Sequence, residues 1–177
     1  MSDFITGKGH AAFGTRLRRL SERMDRDVRE LYRAHGLDFE PSWFPVFAAL
    51  SELGAMSVGE LAAHMRITHA AVSQIRGRLL KDGLVRVRAD AADHRRQMLQ
   101  LTERGVALVE RLRPLWRAIA EVTEALNRQF SPKLLAELRA FESALDQRSL
   151  FARVNEIANR PAQTRARKLK GKSHGVS

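Results

Sequence analysis

The chain has 177 residues and no cysteine, and its 31 Lys and Arg outweigh 20 Asp and Glu to give a net charge of +11. The length suffices for one domain with a buried core, and the missing cysteine excludes disulfides, thiolate metal sites and thiol redox sensing. The cation excess favours a polyanionic partner, either nucleic acid or an anionic surface.

Residues 1–12 are polar and glycine-bearing, which predicts a flexible N-terminal arm. From Phe13 the apolar residues Phe13, Leu17, Leu20, Met24, Val28 and Leu31 recur at steps of three and four, one face of a helix that His35-Gly36 ends. "EPSWFPVFAALSELG" reads as a second helix, with Pro45 tolerated in its first turn. Ser57 followed three residues later by Glu60 is a capping box, so a short helix begins there. Thr68 then caps "HAAVSQIRGRLLKD", which ends at Gly83. Two short helices joined by a tight turn suggest a helix-turn-helix. Strands over 84–88 and 97–101 flank the charged stretch "RADAADHRRQ". Thr102 caps a long helix to about residue 129, which Pro114 should kink near Glu110. Ser131-Pro132 should start a last helix bearing Leu134, Leu135, Leu138, Phe141 and Leu145. Residues 151–177 read as a basic, disordered tail, almost free of hydrophobics from Arg160 onward.

No run approaches the roughly 18 apolar residues of a membrane span. The opening "MSDFITGKGH" lacks the apolar core of a secretory signal. The expectation is a cytoplasmic protein with no membrane partner.

The chemistry sits on the helix after Thr68. At 100° per residue, Val72, Ile75 and Leu79 share one face, while Ala70, Ser73, Gln74, Gly77 and Lys81 lie opposite, flanked by His69, Arg76 and Arg78. Small residues admit close approach to base edges, Gln and Ser offer donors and acceptors, and the cations reach phosphates, as a major groove requires. Gly77 costs about 1 kcal/mol relative to Ala in a helix interior, which close backbone approach to DNA would explain and a solvated face would not. A strand pair directly after such a helix makes a wing. Arg95 and Arg96 at its tip, beside His94, can enter a minor groove, with Asp93 placed to hold the Arg95 guanidinium. The DNA-binding candidates are therefore Thr68, His69, Ala70, Ser73, Gln74, Arg76, Gly77 and Arg78 on the helix, and Asp93, His94, Arg95 and Arg96 on the wing.

The stretch "SVGELAAHMRITHAAVSQIRGRLLKDGLVRVRADAADHRRQMLQLTERG" resembles the MarR family of winged helix-turn-helix regulators, and the resemblance runs from about residue 13 to 150. The family's wing has the form D-P-x-D-R-R before a strand ending L-T-x-x-G. Here Asp93 and Arg95 match its Asp-x-Arg pair, and Leu101, Thr102 and Gly105 match its close. Ala91 replaces the proline, His94 replaces an arginine, and "MRIT" lacks the glycine often found between the two helices.

The resemblance implies a mainly α fold with a small β-wing: four helices, the winged hairpin, then two helices. It implies a DNA-binding head at about 55–101 and dimerisation helices at about 13–35 and 102–150. The expected function is a sequence-specific double-stranded DNA-binding repressor, a homodimer on a pseudo-palindromic operator, released by a small-molecule effector. The alternative is an architectural or protein-interaction winged helix that binds nucleic acid without specificity. That alternative calls for acidic or apolar residues on the Ala70–Gly77 face, which are missing.

Family effectors bind between the dimer base and the heads, which nominates Tyr32, Trp43, Phe44, Phe47 and Trp116, with His35 or Arg113 as polar handles; aromatics so spaced are also ordinary core. "RLRPLW" and the first helix further resemble the regulator half of fusions to GNAT-type acetyltransferases, but no loop to cradle a coenzyme A pyrophosphate follows. No Ser-His-Asp or paired-carboxylate arrangement stands out, and His64, His69 and His94 lack converging partners for a metal. Neither an enzyme nor a cofactor is expected.

Overall fold

The computed structural model describes residues 3–90, 93 and 95–159. His94 and the basic stretch 160–177 therefore lie outside the described residues. The elements are α1 (Phe13–Ala34), α2 (Phe44–Leu53), β1 (Met56–Ser57), α3 (Val58–Met65), α4 (His69–Lys81), β2 (Val85–Ala89), β3 (Gln97–Leu101), α5 (Glu103–Phe130), α6 (Leu134–Gln147) and α7 (Leu150–Ala158). Two compact units divide the chain, Met1–Trp116 and Arg117–Ser177.

In the first unit the apolar faces of α2, α3, α4, β2, β3 and the start of α5 close over one core. Val46, Phe47, Leu61, Val72, Leu79, Leu99 and Leu112 are all sealed from solvent. Each such side chain contributes about 1.5–3 kcal/mol of burial energy. The expected strand pair is present with β2 antiparallel to β3, Val87 opposite Leu99. A third strand extends it: β1 pairs with β3 through Met56–Leu99 and Ser57–Met98, in the order β1-β3-β2. Two residues of strand carry no periodicity that a sequence pattern could reveal.

Three local expectations are corrected. Residues 6–12 are not a loose arm: Thr6–Ala12 winds into 3-10 turns, and Asp3 accepts hydrogen bonds from the Ile5 and Thr6 amides at 2.8 and 3.1 Å while pairing with Arg19 at 2.6 Å. These contacts push the Asp3 carboxyl down to about 2, the Arg19 guanidinium foremost. α5 continues through Pro114, as expected of one long helix, the missing N–H leaving the Glu110 carbonyl without its helical donor. The last predicted helix begins two residues late, with Lys133 rather than Ser131 at its N-cap and no side-chain cap. Residues 151–158, assigned to the tail, lie in α7, whose start Ser149 caps by accepting from the Ala152 amide at 3.2 Å. Leu150, Phe151, Val154 and Ile157 give that segment an apolar face, and it was the adjoining cations that hid it.

The junction of β2, β3 and α5 is where backbone geometry is tightest. The Thr102 amide donates to the Leu84 carbonyl at 3.0 Å. The Thr102 hydroxyl donates to the Gly83 carbonyl at 2.7 Å and accepts from the Gly105 amide at 3.1 Å. One threonine thus caps α5 and clamps it to the chain leaving α4. Gly105 is buried there, and a Cβ on it would lie 2.1 Å from the Leu84 carbonyl oxygen, so only glycine fits.

Candidate nucleic-acid interface

The helix-turn-helix is built by its caps. Ser57 starts α3 with a complete capping box: the Glu60 amide donates to the Ser57 hydroxyl at 3.2 Å, and Glu60 Oε2 accepts from the Ser57 amide at 2.8 Å. α3 ends at Arg66, which takes the left-handed conformation (φ 53°) that a glycine would adopt more cheaply. This is how the chain turns without the glycine that "MRIT" lacks. The Thr68 hydroxyl then accepts from the Ala71 amide at 3.1 Å and opens α4. Thr68, nominated for DNA, is thus occupied as a cap.

α4 divides as its periodicity predicts. Val72 and Leu79 are fully buried, with Ile75 half-buried beside them. His69, Ala70, Ser73, Gln74, Gly77 and Arg78 are exposed, and Arg76 is half-buried at the flank. A Cβ on Gly77 would meet nothing within 4 Å, so no packing among the described residues requires that glycine.

The wing is fastened to both helices. Arg76 Nη2 donates to Gln97 Oε1 at 3.1 Å, joining α4 to β3. Arg96 Nη2 donates to Glu60 Oε1 at 2.8 Å, joining the hairpin to α3. The hydrogen bonds from Ser57 and the Arg96 charge together hold the Glu60 carboxyl down at about 2. At the tip, the Asp90 amide donates to the Arg96 carbonyl at 3.0 Å and the Arg96 amide to the Asp93 carbonyl at 2.9 Å.

Asp93 plays a different part from the one expected. Its carboxylate accepts from the backbone amide of Arg95 at 3.0 Å, an Asx turn, rather than from the Arg95 guanidinium. A two-residue separation favours that local backbone bond. Asp93 therefore shapes the reversal that glycine or Asn-Gly usually makes, and Arg95 is left exposed.

The residues nominated for an effector cleft come together, but as core. Tyr32, Trp43 and Phe47 are at most 6 % exposed. All three pack around Phe39, with ring centroids 5.5, 5.5 and 5.2 Å away. Phe39 was missed because it stands alone between helices, outside any periodic pattern. Trp116 Nε1 donates to the Tyr32 hydroxyl at 3.1 Å, and burial raises the Tyr32 pKa despite that bond. Phe44 is exposed and stands edge-on to Trp116 at 5.0 Å. His35 Nδ1 lies 2.9 Å from the Leu31 carbonyl at the end of α1, and Arg113 pairs with Glu110 at 3.1 Å. Neither polar handle reaches an open cleft through these contacts. A cleft of about 590 Å³ lies elsewhere, lined by Leu37, Asp38, Lys81, Leu84, Arg104 and Arg111 among others. Among the described residues no group of His, Cys, Asp and Glu could hold a metal, and no helix is long and apolar enough to cross a membrane.

Comparison with known proteins agrees with this geometry. Residues 35–96, from the end of α1 through the wing, match the MarR family model. The HTH-type transcriptional repressor NicR of Pseudomonas putida is 27% identical over 113 residues, 59% of this chain and 72% of that protein. Among solved structures, that of Bordetella bronchiseptica BpsR, whose DNA binding is regulated by 6-hydroxynicotinic acid, is 28% identical. The match covers 71% of this chain and 91% of BpsR, with a TM-score of 0.59. A mutant MarR from E. coli in complex with operator DNA shares the fold with a TM-score of 0.61 at 19% identity, over 81% of this chain and 99% of the other. The helix-turn-helix and its wing, residues 35–96, are thus similar to the MarR family, and the chain shares its winged-helix fold with solved members of that family.

Proposed function

We propose that the chain is a repressor that binds a pseudo-palindromic operator as a homodimer. The observation that carries the reading is the α4 surface: small and polar residues face outward beside a tethered wing, and no packing among the described residues requires Gly77. Ser73 and Gln74 would read base edges in the major groove, with Ala70 and Gly77 allowing the approach. His69, Arg76 and Arg78 would contact phosphates, and Arg95 would enter the minor groove. The match to the repressor NicR supports the direction of control.

Dimerisation is supported by apolar residues that a single copy leaves open. Phe13, Leu17, Leu20 and Met24 on α1 are 41–55 % exposed. In the second unit Val122, Leu126, Phe130, Leu135, Phe141, Phe151 and Ile157 are open as well. A second copy would cover them and supply the second head that a specific site needs.

Release by a small molecule is supported by the likeness to BpsR. The Lys81, Arg104 and Arg111 cleft, beside the end of α4, offers cations to an organic acid. The test of the whole reading is an electrophoretic shift on duplex from upstream of the gene, against scrambled competitor. Retention on the upstream duplex alone is expected; equal affinity for both would leave the architectural reading instead.

A further inference from the structure

The carboxylate of Glu60 serves two elements at once. Oε2 accepts from the Ser57 amide and the Ser57 hydroxyl, both at 2.8 Å, and completes the cap of α3. Oε1 accepts from Arg96 at 2.8 Å, across 36 residues of sequence, and ties down the hairpin. Both side chains of the pair are about half exposed, 47% for Arg96 and 44% for Glu60, so its energy is modest, but its geometry is fixed from one side by the cap. Arg96 and Arg95 are adjacent in sequence. Fixing one guanidinium on the protein side limits the positions open to the other.

We propose that Glu60 is a wing-positioning residue, and that Arg96 acts through Glu60 rather than on DNA, leaving Arg95 as the groove-directed cation of the tip. This rests on the DNA-binding reading above. It divides two neighbouring arginines, equivalent in composition, into an anchor and a probe. The Arg76–Gln97 bond holds the neighbouring residue, which pairs with Ala89 at the tip end of the ladder, to α4, so the Glu60–Arg96 contact fastens the first residue beyond that ladder to α3.

Simple electrostatics predicts the opposite sign for removing Glu60. Glu60→Gln deletes a negative charge beside DNA and releases Arg96, which should tighten binding if charge were all that mattered. The glutamine carbonyl can still accept from the Ser57 amide and keep the cap, while its amide turns a donor toward Arg96. Positioning predicts that Glu60→Gln weakens operator binding about threefold, the scale of an exposed ion pair, with affinity for random duplex unchanged or raised. Arg96→Gln should weaken operator binding to the same degree, and the double variant should be no worse than either single one.

A second readout needs no DNA. Hydrogen exchange of the Asp90 and Arg96 amides in the free protein should quicken in Glu60→Gln, while the amides of α3 and the thermal midpoint stay in place. Tighter or unchanged operator binding by Glu60→Gln, or additive losses in the double variant, would overturn the proposal. Wild-type protein that binds no operator while the wing amides still quicken in Glu60→Gln would locate the failure in the DNA-binding reading and not in the anchor.

Discussion

The head around α3, α4 and the wing differs in kind from the exposed faces of α1 and of the second unit. In the head, Leu61, Val72, Leu79 and Leu99 are fully covered, and the polar groups that shape its turns are bonded to one another: Ser57 to Glu60, Glu60 to Arg96, Arg76 to Gln97, Thr102 to Gly83. On α1 and in the second unit, Leu20, Phe130, Phe141 and Phe151 remain open to solvent. Monomeric surfaces rarely leave contiguous apolar stripes of this kind uncovered. The head is complete within one chain and offers a polar surface outward. α1 and the helices of the second unit each leave apolar side chains exposed, and it is on these that the proposed dimer rests. A ligand that must be read by hydrogen bonds suits the first, and a second copy suits the second.

The sharpest way to break this contrast is inside the head. Gly105→Ala would push a Cβ to 2.1 Å from the Leu84 carbonyl oxygen, and relief requires moving backbone. A loss of about 3 kcal/mol is expected from such overpacking, read as a large fall in the thermal midpoint. A wild-type midpoint would mean that the α5 junction yields more easily than its contacts imply. Next in size is the recognition surface. Gln74→Ala should cost about 1–3 kcal/mol on operator and little on random duplex, by fluorescence titration, with the fold unchanged because Gln74 is exposed. Equal losses on both duplexes would move Gln74 from base reading to general contact.

On the other side of the contrast, Leu20→Glu places a charge on the open α1 stripe. It should shift the sedimentation of the chain toward monomer and lower operator affinity without lowering head stability. A mass that does not change with this variant would remove α1 from the dimer surface. Smaller still is Arg66→Gly. Arg66 sits at φ 53°, and relieving the Cβ should raise stability by up to about 1 kcal/mol, offset partly by the entropy of glycine. The least effect is expected from pH. Glu60 titrates at about 2 in the folded chain against an ordinary 4.5. Its contribution is complete above about 4.5 and lost as pH falls toward 2, so the wing anchor should be insensitive between pH 5 and 8. Wing-amide exchange, corrected for intrinsic rate, that rises between pH 8 and 5 would contradict this.

Much of the head was legible because its signals are short-range. The capping box at Ser57 and Glu60, the Thr68 cap and the inward spacing of Val72, Ile75 and Leu79 depend on residues within one or two turns. The wing strands followed from two short apolar-bearing runs on either side of a charged stretch. Part of what the sequence withheld depends on residues distant along the chain, and part on local backbone geometry. The Glu60–Arg96 pair spans 36 residues, and nothing in either local pattern announces it. The role of Asp93 was misassigned because charge pairing with Arg95 was given more weight than the backbone amide of that residue, which a two-residue separation favours. The aromatic residues expected to line a pocket turned out to pack on Phe39, since composition cannot distinguish rings around a cavity from rings that fill it. The conformation of Arg66 was open because a left-handed turn without glycine has no positive sequence mark.

The central claim is that one chain supplies a complete reading head and half of a dimer. Selecting the duplexes bound by the purified chain from a random pool, and sequencing them, tests both parts together. The account predicts one enriched motif with two-fold symmetry, its half-sites about one helical turn, roughly 10 bp, apart. An enriched motif without symmetry would contradict the dimer, and a pool without enrichment would contradict specific reading by α4.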